Sequence, residues 1–391
     1  MKNHLDNLSN RRNFLWNIVM GSVGTLLAPA FAHAKKIPAG DDKPATNIAD
    51  ALKHPRTALS MPGKYPGRVT EVYHDACVAN GKPDAHLANA MLERSMLELT
   101  GEKNISAAWE QFVSPTDIIG LKVNPVAGKE LSTSLEIVHA VIGQLEKAGI
   151  PKKNIVIWDR REFELHDVGF TAENFPGIRI VGTECKDDKG SFYDANGKLY
   201  GEARIDKDWF YWADCEDKYD AETLPYMINE GKHSYFGSVI TKELTKIINI
   251  PILKNAGPTV TLCLKNLAYG AITNTGRLHA KLWGETCAQV PCFPPLRDKV
   301  VLNIVDGFIG CYNGGPGANP QFIAEFKTLM VGSDPVAVDR MGYEIILKKR
   351  IEKGVQKEDN PRGTSWLNLA ASYQLGVADK AKIDHSRLVM S

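Results

Sequence analysis

Residues 117–159 constrain the fold more than any other stretch of the chain. "DIIGLKVN" is a short apolar run of the kind that forms a buried strand. "STSLEIVHAVIGQLEKAG" follows at helical spacing, with Ser132 or Ser134 placed to cap the helix and Gly149 to stop it. "NIVIWD" (154–159) is a second apolar run. Strand, helix and strand in that order imply two parallel strands joined by a right-handed crossover. The expected class is α/β, a mostly parallel sheet flanked by helices.

The same alternation runs on either side. "GRVTEVYHDACV" (67–78) alternates like a strand, and "DAHLANAMLERSMLELTG" (84–101) has helical spacing with Gly101 as its stop. Further on, "ELTKIINIPILKN" reads as a strand, and "TVTLCLKNLAYGAI" fits a strand or a helix. "KVVLNIVDGFIG" and "KTLMVGS" are buried strands, and "DPVAVDRMGYEIILKKRIEKG" is a helix capped by Asp334 or Ser333. "TSWLNLAASYQLG" is a last helix and "RLVM" a final strand. Residues 161–235 differ in texture: "SFYDANGKLYGEARI" carries the hairpin signal Asn196-Gly197, and Trp209, Phe210, Tyr211 and Trp212 cluster after it. This stretch reads as a β-rich insertion. Its aromatic cluster either packs the insertion onto its host or offers a platform for stacking a sugar.

The N-terminus reads as an address. Arg11-Arg12, Phe14-Leu15, a modest apolar run over 18–31 and Ala32-His33-Ala34 have the layout of a twin-arginine export signal over residues 1–34. The alternative is an unprocessed anchor helix, although the run is short and interrupted by glycine for a membrane span. The expectation is a periplasmic or extracellular protein, a partner of the twin-arginine export machinery, with no stable membrane span after processing. Residues 35–62 read as a linker, and 63–391 as one α/β domain. Twin-arginine export carries folded cargo, so a metal loaded before export is a candidate cofactor.

With 47 Lys+Arg against 46 Asp+Glu, charge offers no case for nucleic acid or an anionic membrane surface. Seven cysteines occur without C-x-x-C, a c-type haem motif or an iron–sulfur spacing. In an oxidising compartment Cys287 could pair with Cys292, and Cys185 with Cys215; free buried thiols are the alternative for both. There is no H-E-x-x-H and no G-x-S-x-G elbow.

The chemistry-bearing residues fall where strands end. In open parallel sheets, ligands bind beyond the carboxyl ends of the strands. Asn124 follows "GLKV", Asp159 follows "IVIW", Lys254-Asn255 follow "IPIL", Asp306 follows "LNIV" and Asp334 follows "LMVGS". Lys122 lies within its strand, and Lys265-Asn266 follow "TLCL". A lysine in an apolar strand is costly unless it is paired or faces a ligand. The two readings are internal Lys–Asp pairing across the layers and a polar site for a small molecule. Gly314 and Gly315 in "YNGGPGANP" form either an anion-holding turn or a plain loop. Of ten histidines, His279 in "NTGRLHAKLWG" is the one to follow.

Taken together, "DIIGLKVNP", "IPILKN", "TVTLCLKNLAYG", "LNIVDGFIGCYNGGPGANP" and "GSDPVAVDRMG" resemble, in the same order, the domain of unknown function 362 (DUF362) family over about residues 115–390. The resemblance implies Lys122, Asn124, Lys254, Lys265, Asn266, Asp306, Asp334 and Asp339 as recurrent polar positions. Many members carry a ferredoxin-like segment, whose cysteines this chain lacks. The functional expectation is an exported enzyme acting on an anionic or polyhydroxylated small molecule. Lys254 and Lys265 would clamp charge, with Asn124, Asn255 and Asn266 also on the ligand. Lys122 or His279 would move a proton, and Asp306 and Asp334 would orient a base or hold a metal. The alternative is a non-catalytic periplasmic binding or accessory protein for a redox or metal-handling pathway.

Overall fold

The computed structural model describes residues 43–217, 231–257 and 259–391. The expected signal segment 1–34, and residues 35–42 of the expected linker, lie outside the described residues. Ten strands build the main sheet: β1 (Arg68–His74), β2 (Ile119–Lys122), β3 (Ile155–Arg161), β4 (Arg179–Glu184), β5 (Lys246–Asn249), β6 (Ile252–Ala256), β7 (Thr259–Thr261), β8 (Val300–Cys311), β9 (Ile323–Gly332) and β10 (Asp384–Met390). Their spatial order is β10-β1-β9-β8-β5-β2-β3-β4, with β6 on the same edge of β8 as β5, and β7 on β6. Antiparallel pairing is confined to β9 and β7; every other pair is parallel. The strand–helix–strand reading of residues 117–159 holds, since β2 and β3 are parallel neighbours in register from Ile119–Ile155 to Lys122–Trp158.

Helices cover both faces. On one side lie α1 (Ala85–Thr100) and α2 (Leu135–Lys147), packed on Ile119, Leu121, Ile155, Ile157, Ile248 and Ile304. On the other lie α3 (Cys263–Ala271), α4 (Trp283–Gln289), α5 (Pro335–Glu352) and α6 (Ser365–Ser372), packed on Val156, Trp158, Ile247 and Val305. The near-continuous apolar strands follow from this double cover, because a sheet buried on both faces has no polar side to alternate with.

Three sequence expectations change. The run "ELTKIINIPILKN" is two strands, because Pro251 interrupts the pairing; Ile250 donates its N–H back to the Lys122 carbonyl at 2.7 Å. Part of the stretch read as linker packs on the domain: a helix spans Ile48–Lys53 and Ala51 and Met61 are fully buried, while residues 52–59 are exposed. Within 161–235, β4 belongs to the main sheet. Among the described residues of this stretch, the hairpin Ile205–Trp212 with His233–Gly237 is the separate ribbon, while Asn196-Gly197 closes a one-bridge turn. The aromatic cluster is packing: Tyr211 is buried and donates its hydroxyl to Gln289, and Trp209 packs in a tilted contact on His54. Among the described residues no helix is long and apolar enough to cross a membrane.

All seven cysteines are buried free thiols, so of the two alternatives for Cys287–Cys292 and Cys185–Cys215 the unbridged one is found. The local contacts say why. Cys215 Sγ donates to the Arg277 carbonyl, and Cys292 Sγ to the carbonyl one turn back, at Ala288.

Candidate functional site

Strand alternation sorts the polar residues before any contact is considered. Ile119, Leu121 and Val123 face α1 and α2, which turns Lys122 toward α3. In the same way Ile248 and Ile250 turn Asn249 toward α3, and Leu302 and Ile304 turn Asn303 there. These polar side chains meet Asn266, which α3 presents to the sheet.

The result is a buried chain of hydrogen bonds that runs one way. Lys254 Nζ donates to Asn124 Oδ1 at 2.9 Å, and Asn124 Nδ2 donates to Asn266 Oδ1 at 3.0 Å. Asn266 Nδ2 donates to Asn249 Oδ1 at 2.8 Å, and Asn249 Nδ2 to Asn303 Oδ1 at 2.9 Å. Asn303 Nδ2 ends the chain on the carbonyls of Gly332 and Ser333, both at 3.3 Å. Each amide donates onward and accepts from behind, so the chain is fixed in sense and polarised from Lys254 to β9.

Lys122 joins from the side. Its ammonium lies 2.5 Å from Asp159 Oδ1 and donates to Asn266 Oδ1 at 2.9 Å and to the Val123 carbonyl at 2.7 Å. Both partners are essentially buried. Burial lowers the Lys122 pKa and Asp159 offsets it, which is the behaviour of a compensated internal ion pair. Helix α3 closes over the pair only because residue 270 is glycine. A Cβ there would lie 2.1 Å from Lys122 Cε and 2.9 Å from Asp159 Oδ1.

Among the described residues, Lys254 and Lys265 have no such ion-pair partner. Lys254 is fully buried, with Asn124 as its hydrogen-bond acceptor. Its cross-strand partner in the β6–β7 ribbon is Thr261, and Lys265, one turn into α3, reaches back to Thr261 Oγ1 at 3.4 Å. Thr261 thus pairs through its backbone with Lys254 and takes the Lys265 ammonium on its hydroxyl, and among the described residues no carboxylate forms an ion pair with either lysine. Burial, with the charge of Lys265 behind it, lowers the Lys254 pKa to about 7, and burial lowers Lys265 to about 8. Lys265 Nζ stands 5.7 Å from the centre of the Tyr269 ring and 5.3 Å from that of Trp283.

His279 completes this end. Its ring packs on Tyr269 with centroids 4.5 Å apart, and burial together with the charges of Lys265 and Arg160 lowers its pKa to about 3. The ring is therefore neutral near pH 7. A carbonyl oxygen can only accept, so the 3.0 Å contact between Nδ1 and the Thr275 carbonyl puts the proton on Nδ1 and leaves Nε2 as a bare acceptor. Arg160 is tied to Glu184 at 3.5 Å and to the Thr275 hydroxyl.

The aspartates expected to face these lysines do not. Asp306 shares the face of Ile304 and Phe308, on the opposite side of the sheet, and its carboxylate accepts the N–H groups of Ser134 at 2.8 Å and Phe308 at 3.2 Å. Asp334 accepts four backbone N–H groups, from Gly67, Val336, Ala337 and Val377, each at 2.9 or 3.0 Å. It ties β1, the start of α5 and the 377 turn together. Asp339 accepts Cys263 and Leu264 N–H at 2.6 and 3.0 Å, capping α3 from outside, where the helix's own N-cap residue Leu262 has no side-chain acceptor. Burial raises the pKa of Asp306 and Asp334 to about 6 and of Asp339 to about 7.

Asn255 is a brace as well: its amide donates to the Gly257 and Thr259 carbonyls, both at 2.9 Å, and holds the β6–β7 turn. Gly314 and Gly315 pack a turn on the end of β6, since a Cβ on Gly315 would meet the Asn255 carbonyl at 1.8 Å. Among the described residues no group of three or more His, Cys, Asp or Glu side chains is placed to hold a metal. The sequence reading missed Asn249, Asn303, Tyr269 and Trp283. The two asparagines carried the same signal as the lysines, a polar residue inside an apolar strand.

The sequence model of the domain of unknown function DUF362 matches residues 119–344, more than half of the chain. The chain belongs to the DUF362 family. The matched span includes every member of the hydrogen-bond chain up to the Gly332 and Ser333 carbonyls, together with Lys122, Asp159, Lys265 and His279. A search of curated proteins gives no match. Among solved structures this DUF362 chain is similar to a structural-genomics target from Thermotoga maritima, at 8% identity and a TM-score of 0.36, over 70% of this chain and 60% of that one. At that distance the likeness carries no functional argument.

Proposed function

We propose that this protein is an exported enzyme that acts on an anionic small molecule held between Lys254 and Lys265. One observation carries the reading: Lys254 is fully buried and Lys265 nearly so, and among the described residues neither ammonium has a carboxylate partner. An isolated buried cation costs several kcal/mol, and proteins keep such a group where a ligand supplies the missing charge. Lys122 has its Asp159; the other two lack an equivalent. The asparagine chain fixes Asn124, and Asn124 fixes Lys254, so the clamp is held in place before the ligand arrives.

Support for export comes from the Arg11-Arg12 layout and the small-residue site at Ala32-His33-Ala34. Cell fractionation of an Arg11→Lys, Arg12→Lys double variant tests it, and unchanged export would remove that part of the proposal.

The anion site is tested by thermal unfolding of the purified protein against inorganic phosphate, sulfate and small carboxylates. Anything that binds only the folded state stabilises by about 2.7 kcal/mol at a hundred times its Kd. A saturable rise in melting temperature with at least one of these anions, absent in Lys254→Met and in Lys265→Met, is the expected result. A native protein indifferent to all of them overturns the reading.

A further inference from the structure

The two uncompensated lysines are not equivalent. Lys254 is fully buried and held by Asn124. Lys265 retains 7% of its surface, has a single long contact to a hydroxyl, and lies between Tyr269 and Trp283, of which Trp283 is partly exposed, as is His279. A group that only clamps charge gains from short, fixed hydrogen bonds. A group that must form a covalent bond has to be free to leave its contacts, reachable from outside, and beside an acceptor for the proton it sheds.

We propose that Lys265 is a nucleophilic amine that forms a Schiff base with a small anionic carbonyl compound of the 2-oxo-acid type, whose carboxylate sits on Lys254. The proposal rests on the anion reading above and names the substrate class of that site. Three features of the geometry support it. Thr261 pairs across the ribbon with Lys254 and takes the Lys265 ammonium on its hydroxyl, and Lys254 feels the charge of Lys265, so the two lysines are neighbours that one small molecule with its carbonyl carbon next to its carboxylate can address. His279 is a neutral ring with its proton committed to the Thr275 carbonyl, so its other nitrogen is a hydrogen-bond acceptor beside Tyr269. Finally, the Tyr269 and Thr286 hydroxyls lie buried without a well-formed hydrogen bond; with its pKa raised well above 10 by burial, the phenol stays protonated and can donate to a carbonyl oxygen.

The step balances without an outside redox partner. The neutral Lys265 amine attacks the carbonyl carbon, forming a C–N bond as the C=O π bond opens. One amine proton passes to the oxygen, giving a carbinolamine. A second proton from an acid makes that oxygen leave as water, and the product is an iminium ion that keeps one N–H and one positive charge. Desolvation and a neighbouring cation are the two means by which a protein supplies a neutral lysine near pH 7. Lys265 has the first: burial lowers its pKa to about 8.

The test is reductive trapping of the full-length exported protein with pyruvate or glyoxylate and cyanoborohydride, followed by peptide mapping. Expected is one reduced adduct on the peptide containing Lys265, its yield at least tenfold above that of any exposed lysine. Lys265→Arg keeps the charge and should lose the adduct while retaining the phosphate- or carboxylate-dependent rise in melting temperature. Since the native protein alone gives the decisive map, a variant that fails to fold does not affect the result. Adducts spread over surface lysines in proportion to exposure, or no adduct, overturn the proposal. If the anion-dependent stabilisation persists in that case, the Schiff base alone fails; if it is missing as well, the anion site fails with it.

Discussion

Two aspartates of this protein, Asp334 and Asp339, and two lysines, Lys254 and Lys265, are all buried and are satisfied in opposite ways. Asp334 and Asp339 are saturated by backbone: six N–H groups end on their two carboxylates. Lys254 and Lys265 meet one amide oxygen and one distant hydroxyl. A buried charge whose bonding capacity is filled by the main chain belongs to the architecture, since it fixes helix starts and strand ends. A buried charge left short of partners is held there at a cost in stability, and that cost is returned only when something binds. The contrast separates scaffold from site more sharply than burial or pKa does. All of these groups are buried and several are strongly shifted.

If that division is right, the scaffold carboxylates should be the most sensitive to removal. Asp334→Ala would orphan four backbone donors in a dry interior, each worth about 1–3 kcal/mol when left unsatisfied. We expect a loss of at least about 4 kcal/mol, enough to leave little folded protein at 37 °C, read by urea denaturation. A loss under about 1 kcal/mol would mean that water replaces the carboxylate and that Asp334 is not saturated as described.

The Lys122–Asp159 pair stands between the two classes, and a double-mutant cycle places it. Lys122→Met leaves Asp159 buried and uncompensated, and should cost about 3–5 kcal/mol. Removing both charges, as Lys122→Met with Asp159→Leu, should recover most of that, because an apolar pair of similar volume replaces the ion pair. Non-recovery would show that Asp159 has a second task, toward a ligand or toward Arg160.

This contrast could be read only in part from the sequence. The α/β class and the β2–α2–β3 crossover were legible because apolar period and cap residues agree over 117–159. The convergence of Lys122, Asn124, Lys254 and Asn266 was legible because polar residues in apolar strands are rare enough to need a common explanation. The misplacement of Asp306 came from treating a strand end as one place. Side chains alternate, and a single residue of register sends a carboxylate to the far face. Asp334 looked like a site residue because a helix cap and a ligand contact use the same residue type at the same position. Its two additional donors, Gly67 and Val377, come from segments far away in the chain and leave no local trace.

The smallest effect on stability near neutral pH, and the sharpest test of the comparison, belongs to Lys254. Lys254→Met removes a buried charge that lacks a counter-ion and costs Asn124 one donor, so the two changes nearly cancel near pH 7. The difference appears on raising the pH. The folded-state pKa of Lys254 is about 7, below its ordinary 10.5. Between those values the unfolded chain binds more protons than the native one, so this lysine makes stability rise with pH, by up to about 1.4 kcal/mol per unit. Its contribution is fully present above the unfolded value and is lost as pH falls through about 7. Urea midpoints at about pH 7 and about pH 9.5 should therefore separate, with the native protein gaining on Lys254→Met as the pH rises. A saturating anion should flatten that slope, because the bound charge keeps the ammonium protonated and removes the reason for its pKa to fall. A gap that stays constant with pH would mean that Lys254 is compensated after all. It would then belong with Asp334 in the scaffold.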